Sequence, residues 1–251
     1  MKGKQIVILT HPLMHNYGGM LQAYALSKIF NKLNASSFIF NYSLKGIKKS
    51  SCYFIVHLLL SLVLLILPFN KMILLFLYKF KCYWSFYVFI SSRTGDAIRK
   101  LLQLRNEHEI LSSDLYVVGS DQVWRATYAR QMQSSAFYFL NFLSIQQRRN
   151  SISYAASFGS DEWEGTPEET EECGRLLREF KAVSVREHSG VKICKDVFGV
   201  DAVQMPDPTL LLYTSDYGKI IDSEKTWLPE SKYVAAYVLD ETAGKAELLQ
   251  E

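Results

Sequence analysis

The sequence predicts an α/β protein built on a Rossmann-like, doubly wound and mostly parallel sheet. Three observations predict it. Short apolar runs of strand length alternate with helical patterns, which implies parallel crossovers. The first apolar run passes through two adjacent glycines directly into a helix. Polar residues of unusual type then recur at the ends of successive strands. The 251 residues, 49% hydrophobic and 21% charged, fit a globular chain of one large domain, or one domain and part of another.

The elements follow in order. "KQIVILT" (Lys4–Thr10) is a short apolar run bounded by turn signals, so it reads as a buried strand. From Gly19 the period changes: Leu26, Ile29, Phe30 and Leu33 share one helical face while Lys28, Asn31 and Lys32 point away. "SSFIFNY" (Ser36–Tyr42) is a second strand. Further strands lie within "DLYVVGS" (Asp114–Ser120), "RNSISYAASFG" (Arg149–Gly159), "KAVSVRE" (Lys181–Glu187) and "DAVQMPD" (Asp201–Asp207). Helical patterns fall at Gly95–Glu109, Pro167–Phe180 and Ser189–Phe198.

One segment departs from the alternation. Ser50–Asn70 is twenty-one residues without a formal charge, followed by a second apolar stretch. The length is borderline for a bilayer span. A single span would put the first β-α-β unit on the opposite side from the rest of the sheet. Two apolar helices broken near Pro68, Phe69 and Asn70 would return the chain to its starting side. Lys45, Lys48, Lys49, Lys79 and Lys81 flank the segment, as suits peripheral docking on an anionic leaflet. Burial of the helical pair within the protein is the other reading.

Charge is divided along the chain. Eleven of the 28 basic residues and none of the 25 acidic ones fall in residues 1–95. That leaves 17 basic against 25 acidic in residues 96–251, a net −8. A half without acids suits an anionic neighbour such as a lipid surface or a phosphorylated ligand. Cys52, Cys82, Cys173 and Cys194 show no CxxC or CxH spacing, which argues against zinc or a disulfide framework. With no signal peptide at the start, the expected location is the cytoplasm, peripheral to the inner face of the cytoplasmic membrane.

In a parallel sheet, ligands bind beyond the carboxyl ends of the strands. There the sequence places "HPLMHNYGG", "GSDQVW", "AASFG", Arg186 with Glu187 and Ser189, and "MPDPT". Each feature has a bland reading and a chemical one. Gly18 and Gly19 serve a tight turn, or they free helix amides to bind an anion. Asp121 caps its turn or lines a cleft. Trp124 packs in the core or offers a platform to a sugar. Asp207, held extended by Pro208, reads as a structural turn. Arg186 offers a planar fork for a carboxylate or phosphate, or pairs with a neighbouring acid. His11 and His15 could move protons near neutral pH. No nucleophile elbow, Walker loop, HExxH or GxGxxG is present, which counts against a standard NAD enzyme.

Taken together, "HNYGGMLQAYAL" (His15–Leu26), "VVGSDQVW" (Val117–Trp124), "ISYAASFG" (Ile152–Gly159), "VSVREHSG" (Val183–Gly190) and "MPDPTLLL" (Met205–Leu212) resemble the polysaccharide pyruvyl transferase family. The resemblance implies a GT-B-like architecture of two Rossmann-like domains facing across a cleft. Residues 1–228 would be the N-terminal domain, with the apolar insertion at about 50–92. Residues 229–251 would be a linker and the start of a truncated second domain. The implied activity moves the enolpyruvyl unit of phosphoenolpyruvate onto two hydroxyls of one sugar, forming a pyruvate ketal on a cell-surface glycan. Phosphoenolpyruvate is the implied donor, with no cofactor and no metal. The implied acceptor is a glycan or lipid-linked saccharide, and no nucleic-acid partner is expected.

By the same resemblance, Arg186, Asn16, Gly18, Gly19, Ser120, Asp121 and Ser157 are the expected donor-binding residues. Tyr17 and Trp124 are expected to stack on the acceptor, and no proton donor is assigned. With one wall of the cleft, the short chain is expected to turn over poorly or not at all. Two readings stand beside this one: a non-catalytic, membrane-associated binding or assembly module, and a GT-B-type glycosyltransferase using a nucleotide-sugar, since fold does not fix function.

Overall fold

A computed structural model describes residues 1–13, 16–40, 102, 104–105 and 110–221. Strand β1 (Gln5–Leu9) is followed by α1 (Tyr17–Lys32) and β2 (Ser36–Phe40). Then come β3 (Leu104–Arg105), β4 (Leu115–Val118), α2 (Ala126–Met132), α3 (Ile145–Arg148) and β5 (Ser151–Ser153). The described chain ends with α4 (Pro167–Leu177), β6 (Ser184–Val185), α5 (His188–Asp196), β7 (Val203–Gln204) and α6 (Thr214–Ile221). Short 3₁₀ turns occupy Phe137–Phe139 and Pro208–Leu211.

Five strands form a sheet in the order β3-β2-β1-β4-β5, with every pairing parallel. The parallel β6–β7 pair continues from β5 through bridges at Ile152–Ala182 and Ala156–Val185. The order reverses at β1, which has β2 on one side and β4 on the other. Such a reversal opens a crevice beyond the strand ends, where ligands of parallel sheets bind.

Alternation explains the unbroken apolar runs. Ile6, Ile8 and Val117 pack toward Met20, Ala23, Leu26 and Phe30 of α1. Val7, Leu9, Tyr116 and Val118 face the opposite layer with Trp124, Phe139, Leu176, Ile193 and Phe198. Successive side chains point to opposite faces and both faces are covered, so neither can be polar. α4 starts where its sequence dictates: Thr166 and Glu169 form a capping box, and Pro167 takes the first helical position.

The structure corrects one expected element. Leu104 and Arg105, placed by pattern in a helix over Gly95–Glu109, instead pair with Ile39 and Phe40 as β3. A two-residue strand carries no period of its own; its partner strand defines it. The apolar insertion and the expected second domain lie outside the described residues. Among the described residues no helix is long and apolar enough to cross a membrane.

Candidate functional site

The loops after β1, β4, β5 and β6 meet at one end of the sheet, and their polar groups close into a ring. Asn16 caps α1 by accepting from the Gly19 amide at 2.9 Å, and its Nδ2 donates to Asp121 Oδ2 at 2.7 Å. The Asp121 carbonyl accepts from the Ser157 amide at 2.9 Å. Ser157 Oγ donates to Glu187 Oε1 at 2.9 Å, and Arg186 Nε donates to the same oxygen at 2.7 Å. Arg186 Nη1 reaches Asp207 Oδ2 at 3.4 Å. Gln22 Nε2 donates to that oxygen and returns the path to α1.

Several expected site residues therefore share one neighbourhood, but with altered roles. The helix N-terminus is not an open anion site. Asn16 occupies the Gly19 amide, and a Cβ built on Gly19 would lie 2.8 Å from Asp121 Oδ2. The chain's own carboxylate already sits against the first turn of α1, where a bound anion would be placed. Gly18 is exposed. Ser120 and Ser157 are fully buried. Ser157 holds Glu187.

Trp124 is a correction. It is 1% exposed, stacks on Phe139 with ring centroids 5.1 Å apart, and donates from Nε1 to the Tyr138 carbonyl at 3.1 Å. Neither ring face is open to a sugar. The side chain of Tyr17 and all of His15 lie outside the described residues.

Among the described residues Arg186 is the one cation within this ring, against the carboxylates of Asp121, Glu187 and Asp207. Burial works against its charge, but Glu187, Asp207 and Asp121 outweigh that and raise its pKa above the ordinary value. Its Nη2 has no hydrogen bond among the described residues, and the side chain remains 25% exposed. The guanidinium is thus held through Nε and Nη1, with Nη2 left to meet an anion.

The sequence reading did not assign Gln22 or Tyr154 to the site, and it treated Asp207 as structural. Asp207 does cap the following 3₁₀ turn, accepting from Thr209 N at 3.0 Å and Thr209 Oγ1 at 2.7 Å. It also holds Arg186 and Gln22. A signal for Gln22 existed: it lies three residues after Gly19, on the same helical face, and is 7% exposed.

His11 is enclosed beside this ring, its Nδ1 3.0 Å from Tyr138 Oη. Burial lowers its pKa below 6.5, opposed by the Asp121 carboxylate and the Gln122 backbone. The unfolded chain therefore takes up a proton before the folded one does. The stability due to neutral His11 is full above pH 6.5 and is lost as pH falls through the lower folded value. Urea unfolding at pH 7.5 and 5.5 is expected to show a larger acid loss in the wild type than in His11→Asn. An equal loss in both would show that His11 titrates normally.

Among the described residues no group of three or more His, Cys, Asp or Glu could hold a metal ion. Cys173 and Cys194 are free and buried away from the ring, and burial pushes both thiols up to about 12. A family model described as polysaccharide pyruvyl transferase matches residues 16–249. No curated protein matches the chain.

Proposed function

This chain belongs to the polysaccharide pyruvyl transferase family, and from that premise we propose that it moves the enolpyruvyl group of phosphoenolpyruvate onto a hydroxyl pair of a cell-surface glycan. The observation that carries the reading is the family match over residues 16–249, which takes in every residue of the polar ring. The position of Arg186 supports it.

The chemistry is balanced as follows. The methylene carbon of the donor gains a proton, and one sugar hydroxyl adds to the adjacent carbon and loses its proton. The carbon–oxygen bond to phosphate then breaks, and the second hydroxyl adds and loses its proton. The products are a cyclic ketal and inorganic phosphate. Phosphoenolpyruvate acts as substrate, and no cofactor takes part. Arg186 suits the donor carboxylate, through the Nη2 that Glu187 and Asp207 leave unpaired.

One guanidinium among three carboxylates cannot neutralise a donor that carries both a carboxylate and a phosphate. In this reading the phosphate is met by cations outside the ring. The lysine-flanked apolar segment at 50–90 supports a peripheral contact with an anionic leaflet, where a lipid-linked acceptor would lie.

Phosphate release from phosphoenolpyruvate, dependent on a saccharide acceptor, tests the assignment. Arg186→Ala is expected to lower kcat/KM for the donor about 10–100-fold, the equivalent of a charge-assisted hydrogen bond worth ~1.5–3 kcal/mol. Arg186→Lys is expected to recover only part, because a point charge cannot reproduce the fork. Unchanged release in Arg186→Ala would remove Arg186 from the donor site. Donor binding without turnover would favour the non-catalytic module.

A further inference from the structure

We propose that Gln22, held by Asp207, and Tyr154, on the same side of the sheet, form a subsite that receives a hydroxyl pair of the acceptor sugar. The inference rests on the pyruvyl transfer reading and names which part of the ring takes which substrate.

The amide of Gln22 has a forced orientation. Its Nε2 faces Asp207 Oδ2 and must be the donor end, because a carboxylate only accepts. Oε1 then points elsewhere, and it is buried with no hydrogen-bond partner among the described residues, on a residue 7% exposed. Tyr154 Oη is likewise buried without a partner among the described residues. Tyr154 packs on the α1 side of the sheet with Leu212 and Tyr217, two neighbours of the turn that Asp207 caps. Burial and the nearby Asp207 raise its pKa, so the phenol stays protonated at neutral pH. Two polar groups left unmatched beside one carboxylate are costly unless something else completes them.

Charge selects the class of ligand. Oε1 is an acceptor beside a carboxylate, so it repels an anion and suits an O–H donor. Tyr154 Oη can both donate and accept, as a second hydroxyl requires. Asp207 itself has no spare role: Thr209 takes Oδ1, while Gln22 and Arg186 take Oδ2. Asp207 is therefore a positioning residue shared by the two sides. Arg186 projects from it toward the donor, and Gln22 projects from it toward a neutral, hydroxyl-rich acceptor. This arrangement would set the two substrates on opposite sides of one carboxylate.

Tyr154→Phe and Gln22→Met test the subsite in the full chain. Removing an unpaired phenol is expected to leave the melting temperature unchanged or higher, which a structural hydroxyl would not do. Acceptor KM should rise about 10-fold in each variant, while in Tyr154→Phe donor KM stays within about twofold of wild type. A turnover-independent readout is NMR titration with methyl galactoside, methyl glucoside and methyl mannoside. The wild type should bind at least one of them, and both variants should bind it more weakly. Saccharide binding that depends on Tyr154 without phosphate release would sink the pyruvyl reading and leave the subsite standing. Acceptor KM or saccharide binding unchanged in both variants would overturn the subsite, whether or not phosphate is released. Absence of saccharide binding by the wild type would overturn it too.

Discussion

Trp124→Ala is expected to cost about 3–5 kcal/mol of folding stability, as removal of a large buried aromatic does. The indole is 1% exposed and sits where the loop after β4 meets the 3₁₀ turn and the loop after β5. Phe139 stacks on it at 5.1 Å and Phe158 tilts against it at 5.4 Å. The same aromatic group extends through Phe198 and Trp163. Alanine would leave a cavity between two loops that both carry ring residues, Asp121 on one side and Ser157 on the other. Trp124→Phe keeps a ring but loses the hydrogen bond to the Tyr138 carbonyl, so an intermediate loss is expected. Urea denaturation midpoints measure both. A stability near wild type in Trp124→Ala, with a raised acceptor KM, would restore the sugar-platform reading.

Trp124 also marks where sequence stops being legible. "GSDQVW" reads correctly as a polar loop after a strand, but the fate of its tryptophan depends on Phe139 and Phe158, which lie distant in sequence. The sheet was easier, because two-sided burial leaves a local record: the runs around Ile6–Leu9 and Tyr116–Val118 are apolar at every position. α1, α4 and α5 announced themselves by their helical period. β3 did not, since Leu104–Arg105 is a strand only by its pairing with Ile39 and Phe40.

The site divided along the same line. That Asn16, Asp121, Ser157 and Arg186 follow successive strands can be counted from sequence, and parallel topology then brings them together. What each does on arrival could not be counted. Asp121 adopts φ +71° and turns its carboxylate onto α1, which converts an apparent anion cradle into a filled one. Gln22 was not assigned to the site, because it is Asp207, 185 positions later, that fixes its amide.

Gly119→Ala is expected to damage stability and site together. Gly119 ends β4 at φ +119°, a conformation that a side chain strains to adopt. A Cβ there would lie 2.4 Å from the Tyr154 carbonyl oxygen and 3.4 Å from the Ala156 nitrogen, both backbone atoms. Neither can rotate away as a side chain would. The strand ends must separate, although Tyr154 N is bonded to the Val118 carbonyl and Gly119 N to that of Leu9. Strain of this kind costs ~1–3 kcal/mol and the overlap a further ~1–3 kcal/mol. The stiffer unfolded chain returns only ~0.4–1 kcal/mol. A net loss of about 1–5 kcal/mol is expected from urea midpoints. Separation would also move Asp121 away from Asn16 and shift Tyr154, residues placed on the two sides of the ring. Phosphate release, measured where the variant is still folded, should therefore fall at least 10-fold. A variant within about 0.5 kcal/mol of wild type, the range of an ordinary surface change, would show that β4 and β5 do not approach this closely, and the ring geometry would fall with that contact.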